Sequence, residues 1–387
     1  MPSPSSSQAP VAIVGVAESD LGKTPDKTAL ELQAQASRLA LLDAGLLPQD
    51  VDAVFAHTDD RFASLLLSEY LGIRPRYTDS SNVGGMSNIL HIRHAMAAIQ
   101  SGMCEVALIT YGSTQLSDGS RKSGVIAEDP RSSRGQFIVP TGQLSPIGYY
   151  AMAAQLHRHR YGSGPEDLAH IALAARRWAQ LNPKAYRREA TTLEEINASP
   201  VIADPLRLRD CCLVTDGGGA LIVTSAARAA GLKKRPVHVL GLAERFSHHY
   251  TPLELPDWLD TGVADTTDRA LAMAGVQRSD IDCVQIYDHF TIGVLQSLEE
   301  LGFCARGEGK DFVRDGRLGP GGAFPINTSG GGLSYGHPGM FGIFLVIEAV
   351  RQLRGECGER QLPDPKLALC HAPGLVFSAH ATMVLGV

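Results

Sequence analysis

The sequence predicts a duplicated α/β protein, and two internal matches support this fold class. Residues 44–57 align without gaps on residues 274–287, and each segment runs from a helix end through a glycine turn into an apolar strand. Residues 85–112 and 339–374 form a second pair, in which a glycine-rich turn leads into a helix and then a strand. Two segments with the same order of strands and helices indicate one α/β unit that is present twice.

The order of elements divides the chain into three parts. Residues 1–9, rich in Ser and Pro, are expected to form a disordered lead-in. The first half covers residues 10–232 and contains an insertion at 112–215, which has no counterpart in the second half and is expected to cap the site. The second half covers residues 236–387. Because crossover helices cover both faces of such sheets, ligands are expected where loops leave the carboxyl ends of the strands.

Composition excludes several classes of protein. The chain has 387 residues, 44% of them hydrophobic, and a formal net charge of -6. This acidic balance argues against a nucleic-acid partner, which requires a basic face. The seven cysteines favour reduced thiols in the cytoplasm, and because they lack the paired spacing of zinc ligands no metal is expected. The apolar runs are too short for a membrane span, and the N-terminus does not resemble a secretory signal.

A cluster of titratable residues occupies the segment YDHFT at 287–291, where a predicted strand meets a helix. Strand ends of this kind are favoured places for catalytic groups in α/β folds. Tyr287, Asp288 and His289 can all transfer protons, so their proximity favours a functional interpretation. A structural interpretation stays open, because Asp288 can cap the following helix.

A glycine-rich tract at residues 319–342 contains Asn327, Tyr335 and His337. Glycines let backbone N–H groups approach a ligand closely, so the tract is a candidate binding loop, with a flexible surface loop as the alternative. The segment at 15–24 nearly matches a phosphate-binding loop, but Ala17 stands where that motif requires glycine, so nucleotide hydrolysis is not predicted.

Cys370 and Gly374 leave another predicted strand in the segment CHAPG. A lone cysteine in an apolar strand is more typical of core packing than of a nucleophile. Cys212 precedes a glycine-rich turn, but neither a histidine base nor an oxyanion pocket is evident in the neighbouring sequence.

The chain from Pro10 to Val387 resembles the thiolase superfamily, and specifically the branch that includes the sterol-carrier-protein thiolases. The resemblance rests on three segments: DPLRLRDCCLVTDGGGALIVTS, YDHFTIGVLQSLEELGFCARGEGKDFV and INTSGGGLSYGHPGM. It implies a thiolase fold, a five-layer αβαβα arrangement of two duplicated βαβαβ halves.

The resemblance also shows which residue is missing. Thiolases carry a nucleophilic cysteine at the N-terminus of the first half's central helix, where the helix dipole lowers the thiol pKa. That position falls at about Gly85, in NVGGMSN, and Cys104 lies too far along the chain to replace it. The GHP motif retains His337, and the family's His-Asp-Cys-Phe junction reads Tyr-Asp-His-Phe at 287–290.

This combination is similar to the thiolase-like aldolases of bacterial steroid side-chain degradation. It implies retro-aldol cleavage of a β-hydroxyacyl-CoA substrate without a covalent cysteine intermediate and without a permanently bound cofactor. The implied catalytic residues are Tyr287, His289, His337 and Tyr335, with Asp288 and Cys370 as secondary candidates. The implied oxyanion- and substrate-binding residues are Gly85, Met86, Asn327 and Gly374. We expect Gly85, His289, His337 and Cys370 to converge in one pocket.

The resemblance further implies acyl-CoA as the ligand, a homodimer, and an OB-fold, acyl-CoA-associated partner protein of the kind that those aldolases use. One departure leaves the acid and base roles open: this chain retains SYGHP where the aldolases have a tyrosine-containing segment, so Tyr335 or His337 takes that place. Two alternatives also stay open. One is a thiolase-type acyltransferase that uses an unusual residue such as Cys370, and the other is a non-catalytic acyl-CoA- or lipid-binding homologue.

Overall fold

A computed structural model describes residues 11–58, 62–120, 129–143, 145–248 and 255–387, so the predicted lead-in at 1–9 lies outside the described residues. The strands are β1 (Val11–Glu18), β2 (Ala53–His57), β3 (Tyr77–Asp79), β4 (Val106–Ser113), β5 (Val201–Ala203), β6 (Leu206–Arg207), β7 (Gly217–Ser225), β8 (Val237–Phe246), β9 (Cys283–Ile286), β10 (Leu367–Gly374) and β11 (Ala379–Gly386). The α-helices are α1 (Ala29–Ala44), α2 (Ala63–Leu71), α3 (Ser87–Gln100), α4 (Ser133–Phe137), α5 (Pro146–Tyr161), α6 (Pro165–Gln180), α7 (Leu193–Asn197), α8 (Ala226–Ala229), α9 (Val263–Ala274), α10 (Thr291–Glu300), α11 (Gly309–Phe312) and α12 (Gly342–Arg354).

Nine strands are hydrogen-bonded in the order β3-β2-β4-β7-β1-β8-β11-β10-β9, while β5 and β6 form a separate hairpin. The first five strands in this order come from the first half of the chain and the last four from the second half. The halves meet where β1 pairs with β8, through Ala12–His238 and Ile13–Val237. Strands β2, β3 and β4 run parallel to one another, and β9 runs parallel to β10.

The helices form three layers around these strands. Helix α1 packs on β1, β4 and β7, and α9 packs on β8 and β11. Helices α3 and α12 contact each other and lie between the halves, because α12 contacts β1 and β7 on one side and β9 and β10 on the other. The helices and the two half-sheets therefore alternate in five layers, as the resemblance implies.

The internal repeat is visible in the chain geometry. Helices α1 and α9 both end at a glycine with left-handed backbone, Gly45 (φ 74°) and Gly275 (φ 70°). Each glycine is followed by a single 3₁₀ turn whose aspartate, Asp50 or Asp280, accepts a hydrogen bond of 2.8 Å from the backbone N–H three residues earlier. The chain then enters β2 or β9. The predicted match of residues 44–57 with 274–287 is thus confirmed.

The segment between β4 and β7 contains helices α4 to α7 and the β5–β6 hairpin. Helix α6 contacts α10 and the turn at Gly331–Tyr335, so part of this insertion covers the segments that carry the candidate residues. None of the helices in the described residues is long and apolar enough to cross a membrane.

Candidate active site

The centre of the candidate site is a hydrogen bond between Tyr287 and His337. Tyr287 directly follows β9, where its backbone N–H donates to the carbonyl of His371 at 3.0 Å. Its hydroxyl oxygen lies 2.7 Å from Nε2 of His337, and both residues are buried. The glycine tract and the end of β9 therefore bring two proton-transferring groups into direct contact.

Gly85 lies against the ring of Tyr287. A Cβ atom at position 85 would stand 2.1 Å from Cε1 of Tyr287 and 2.7 Å from the carbonyl oxygen of Pro373. Both distances are shorter than any ordinary carbon contact, so the position accepts only glycine while Tyr287 keeps this conformation. Gly85, Tyr287 and His337 thus form one contiguous group.

The backbone of His337 is held by Thr215, which the sequence analysis missed. The N–H of His337 donates to the Thr215 hydroxyl at 3.0 Å, and the N–H of Thr215 donates to the His337 carbonyl at 3.2 Å. Thr215 precedes β7, so a segment of the first half positions a histidine of the second. The two residues are 122 positions apart, so local sequence carries no signal for this contact.

Asp288 fastens the glycine tract to the end of β9. Its fully buried carboxylate accepts hydrogen bonds from the N–H groups of Gly332 at 2.6 Å and Leu333 at 3.1 Å. Burial raises the pKa of Asp288 to about 7, although these backbone hydrogen bonds act in the opposite direction. A Cβ at Gly331 would lie 2.0 Å from the carboxylate, which explains a glycine there. Asp288 thus braces the tract instead of capping α10.

His289 lies beside the pair but points elsewhere. Its ring is edge-on to that of Tyr287, with centroids 5.4 Å apart, and its Nδ1 lies 3.2 Å from the Tyr287 carbonyl oxygen. That oxygen can only accept, so we assign the ring proton to Nδ1. Burial lowers the pKa of His289 to about 4, which keeps the imidazole neutral near pH 7. The ring borders a chamber of about 10 Å³, with Tyr150 and His380 among the other lining residues.

Tyr335 does not join the pair. Its hydroxyl donates to Glu18 at 3.1 Å, and the same carboxylate forms ion pairs with Arg351 and Lys184. Burial, together with the Glu18 charge, raises the pKa of Tyr335 well above its ordinary range. Tyr335, at the end of the turn Gly331–Tyr335, contacts Glu18, whereas His337, two residues later, contacts Tyr287. The structure therefore favours His337 over Tyr335 as the group that faces Tyr287.

Cys370 lies in β10, in the core cluster that also contains Tyr287. Its side chain is fully buried, and its Sγ lies 3.7 Å from the carbonyl oxygen of Leu345. Burial raises the pKa of this thiol well above its ordinary value. Met86 is fully buried in the same core cluster. Cys370 lies four residues before Gly374, the last residue of β10, so its thiol contacts the core at a point farther back along the strand.

Asn327 and Gly374 make close backbone contacts. The side-chain oxygen of Asn327 accepts a hydrogen bond of 2.7 Å from the N–H of Ile286, which ties the glycine tract to β9. A Cβ at Gly374 would lie 2.0 Å from the carbonyl oxygen of Val83, so this glycine lets the end of β10 approach the turn before α3. Both residues therefore position the backbone segments that surround the Tyr287–His337 pair.

Across the described ranges, no three His, Cys, Asp or Glu side chains come together in a way that could hold a metal ion.

Comparisons with known proteins place the chain beside thiolase-like enzymes. Residues 243–387 match the family model "Thiolase C-terminal domain-like". The "17-hydroxy-3-oxo-4-pregnene-20-carboxyl-CoA lyase" of Mycobacterium tuberculosis is 38% identical over 358 residues, 89% of this chain and 91% of the relative. The "Steroid side-chain-cleaving aldolase" of Thermomonospora curvata is 35% identical, over 89% of this chain and 90% of the relative. A solved "Ltp2-ChsH2(DUF35) aldolase" has 33% identity and a TM-score of 0.88, with 98% of each chain covered.

Proposed function

Because the chain belongs to the thiolase superfamily, in the group that contains the steroid side-chain-cleaving aldolases, we propose that it cleaves a β-hydroxyacyl-CoA by a retro-aldol reaction. The observation that carries this proposal is the hydrogen bond of 2.7 Å between Tyr287 and His337, formed beside a glycine at position 85. A proton-transferring pair thus lies where the resemblance would otherwise require a nucleophilic thiol.

Retro-aldol cleavage requires a proton acceptor but no nucleophile. A base removes the proton of the β-hydroxyl, and the bond between the α and β carbons breaks. The β carbon leaves as a ketone or aldehyde, while the electron pair passes to the thioester as an enolate. Protonation of the α carbon then gives the shorter acyl-CoA. The site must therefore supply a base and hydrogen-bond donors for the enolate oxygen.

We assign the base to Tyr287 and His337 acting together. Tyr287 accepts the proton of the β-hydroxyl while its own proton passes to Nε2 of His337, along the hydrogen bond that joins them. The resulting imidazolium donates to the enolate and returns the proton to the α carbon. The backbone N–H groups of Gly85 and Met86, at the positive end of α3, assist by stabilising the enolate oxygen.

A direct assay tests this function. The purified protein is incubated with 17-hydroxy-3-oxo-4-pregnene-20-carboxyl-CoA, the compound named for the Mycobacterium tuberculosis relative. Mass spectrometry follows its conversion into a steroid ketone and a shorter acyl-CoA. We expect Tyr287→Phe to lower the rate about a hundred- to ten-thousand-fold, as for the loss of a general base. The exposed Tyr70→Phe is the matched control. Absence of cleavage by the parent, or a normal rate for Tyr287→Phe, overturns the proposal.

We also propose a homodimer and a DUF35-type, OB-fold partner. Support for the partner comes from the solved aldolase, which pairs Ltp2 with ChsH2(DUF35). Strand β3 ends the sheet, and a terminal strand can pair with another chain. Light scattering should give twice the chain mass for the protein by itself and a larger mass after addition of such a partner. A monomeric mass, or no increase on mixing, contradicts the corresponding part.

A further inference from the structure

A small chamber borders the imidazole of His289. It is lined by α10, by the connection between β10 and β11, by the segment at 261–263 and by α5 of the insertion. The space in it that is open to the centre of a water molecule is about 10 Å³. A cavity needs about 10 to 15 Å³ of such space to hold one water. The chamber therefore has room for a single atom of about the size of an oxygen.

Two histidines present lone pairs to this chamber. Nδ1 of His289 lies 3.2 Å from the Tyr287 carbonyl oxygen, and Nε2 of His380 lies 3.3 Å from the Phe377 carbonyl oxygen. Because a carbonyl only accepts, each ring carries its proton on that nitrogen. The opposite nitrogens, Nε2 of His289 and Nδ1 of His380, are buried acceptors without a hydrogen-bond partner among the described residues. Burial lowers the pKa of His380 to about 3, so this ring is neutral near pH 7, as is that of His289.

Gln296 adds a third acceptor to the lining. Its Nε2 donates to the Trp258 carbonyl at 2.8 Å and to the Glu300 carboxylate at 3.0 Å. Its Oε1 is buried and meets no donor in the part of the chain that the structure describes. The Glu300 carboxylate also accepts from the N–H of Thr261 at 2.8 Å and from its hydroxyl at 3.0 Å. The lining thus has three unsatisfied acceptors, and buried acceptors are normally paired with a donor.

The lining selects an uncharged donor. A cation would need negative charge nearby, but burial raises the pKa of Glu300, and its oxygens already accept from neighbouring groups. A metal ion lacks ligands as well, since the described residues contain no suitable group of three His, Cys, Asp or Glu. Val263, Pro373, Phe377 and the ring of Tyr150 supply carbon surface around the acceptors. Water is the uncharged molecule of one heavy atom that carries two donor hydrogens, and it matches both the volume and the acceptors.

Gly293 provides the space beside His289. A Cβ atom at this position, in the first turn of α10, would lie 2.8 Å from Cε1 of His289 and 3.0 Å from its Nε2. Without a side chain there, the edge of the imidazole lies close to the helix and its Nε2 borders the chamber. A methyl group at 293 would press on the ring and occupy space next to Nε2. Gly293→Ala is therefore a substitution that closes the site without removing any acceptor.

The imidazole of His289 connects the chamber to the Tyr287–His337 pair. Its ring is edge-on to that of Tyr287, with centroids 5.4 Å apart, and the ring of Tyr150 packs against it at 4.3 Å. Within the described residues, the one hydrogen bond of this imidazole is the bond of 3.2 Å at Nδ1. A second hydrogen bond at Nε2, anchored on His380, would fix the ring at both nitrogens. A fixed ring supports Tyr287 in the conformation that reaches His337.

We propose that the chamber binds one water molecule, which donates to Nε2 of His289 and to Nδ1 of His380, the more basic of the three acceptors. The Ser297 hydroxyl, which also lines the chamber, can donate to Gln296 or to the water. The water makes His289 a positioning residue for Tyr287 in place of an acid or base, with His380 as its support. The positioning role rests on the function proposed above, whereas the water site does not.

A crystal structure of the full-length protein, at a resolution that shows ordered water, tests the site. We expect one water peak within about 2.7 to 3.2 Å of both His289 Nε2 and His380 Nδ1. In Gly293→Ala this peak should be lost or displaced from His289. Gly231→Ala, where a Cβ meets only an oxygen at 3.8 Å, is the control and should keep it. Absence of the peak from the parent, or an unaltered peak in Gly293→Ala, overturns the water site.

The cleavage assay tests the positioning role. His380→Leu should lower kcat about 3- to 10-fold, as for the loss of one ordinary hydrogen bond, with KM and the shape of the pH profile unchanged. His380→Gln should restore most of kcat, because its amide offers both an acceptor and a donor. Gly293→Ala should show a similar loss with His380 in place, and the exposed His159→Gln is the control.

Circular dichroism of each variant establishes that it is folded before its rate is compared. A normal kcat in both His380→Leu and Gly293→Ala overturns the positioning role, as does an equal loss in His380→Leu and His380→Gln. A changed pH profile in His380→Leu also overturns it, because a positioning residue does not titrate in the reaction. The crystal structure is determined without turnover, so a protein that holds the water but cleaves no β-hydroxyacyl-CoA contradicts only the proposed function.

Discussion

The ring of Tyr287 occupies the space that a side chain at Gly85 would need. A Cβ at position 85 would lie 2.1 Å from Cε1 of that ring, a separation that no real pair of carbons tolerates. Gly85 is the position where the thiolase resemblance places a cysteine. A cysteine at position 85 is thus sterically incompatible with the observed conformation of Tyr287.

The first prediction measures this exclusion. Gly85→Ala should lower the free energy of unfolding by about 1 to 3 kcal/mol, the usual range for overpacking a core. In a Tyr287→Ala background the same change should cost less, because the clashing ring is gone. Urea unfolding of the four proteins gives the coupling energy. Gly231→Ala, where a Cβ meets only an oxygen at 3.8 Å, is the control. Equal costs in both backgrounds contradict the steric argument.

The second prediction concerns the acyltransferase alternative. Cys370 is fully buried and its thiol pKa is raised by burial, so it should form no thioester with an acyl-CoA. Intact-mass spectrometry after incubation should show no acyl adduct. Cys370→Ala should keep cleavage within about threefold of the parent, because mutations that remove no catalytic interaction leave the transition state unchanged. An adduct that maps to Cys370 or Cys212 would restore the acyltransferase interpretation.

The third prediction distinguishes the roles of Tyr335 and Tyr287, the first in stability and the second in cleavage. Tyr335→Phe removes a hydrogen bond to Glu18 and should lower stability by about 1 to 3 kcal/mol, since it leaves a buried carboxylate with one donor fewer. Its effect on cleavage should be small beside that of Tyr287→Phe. Thermal unfolding and the cleavage assay are compared for the two variants. A larger loss of cleavage in Tyr335→Phe would transfer the catalytic role to Tyr335.

The fourth prediction is a dependence of stability on pH. Burial lowers the pKa of His289 to about 4 and that of His380 to about 3, against about 6.5 in an unfolded chain. As the pH falls below about 6.5, these histidines bind protons in the unfolded state but stay neutral in the folded state. The free energy of unfolding therefore has its full value above that pH. Below it, the free energy of unfolding decreases toward pH 4 by about 1.4 kcal/mol per pH unit for each histidine.

Urea unfolding between about pH 4.5 and about pH 7.5 measures this slope. This range covers most of the interval between the folded-state pKa of about 4 for His289 and the unfolded-state pKa of about 6.5. His380→Gln should flatten the slope by about one histidine's share, and the exposed His159→Gln is the control. A slope that His380→Gln leaves unaltered would show that the pKa of His380 is the same in the folded and unfolded states.

Local patterns predicted the elements that depend on nearby residues. The repeat of residues 44–57 at 274–287 appears as two helix ends, two glycine turns and two strands, because each feature is set within a few positions. The segment at 287–290 does lie where β9 ends and α10 begins. The boundaries at 232 and 236 and the catalytic roles stay predictions that await the experiments above.

Interactions between distant segments escaped these patterns. Thr215 and Glu18 contact the turn that carries His337 and Tyr335 from 122 and 317 positions away in the chain. Cys370 was expected in the pocket, and no local pattern showed that its thiol would contact the carbonyl oxygen of Leu345, in α12. The orientation of a side chain on a glycine-rich turn depends on backbone angles that sequence alone constrains poorly.

By itself the sequence determined that the chain is a duplicated α/β protein of thiolase type, that it lacks a cysteine at position 85, and that Tyr287 and His337 belong to its motifs. These properties reside in residue identity and short-range periodicity. Only the tertiary structure decided that Tyr287 contacts His337 and that Tyr335 pairs with Glu18. Those relationships arise when the two halves pack together, because packing sets which faces of distant turns and strands meet.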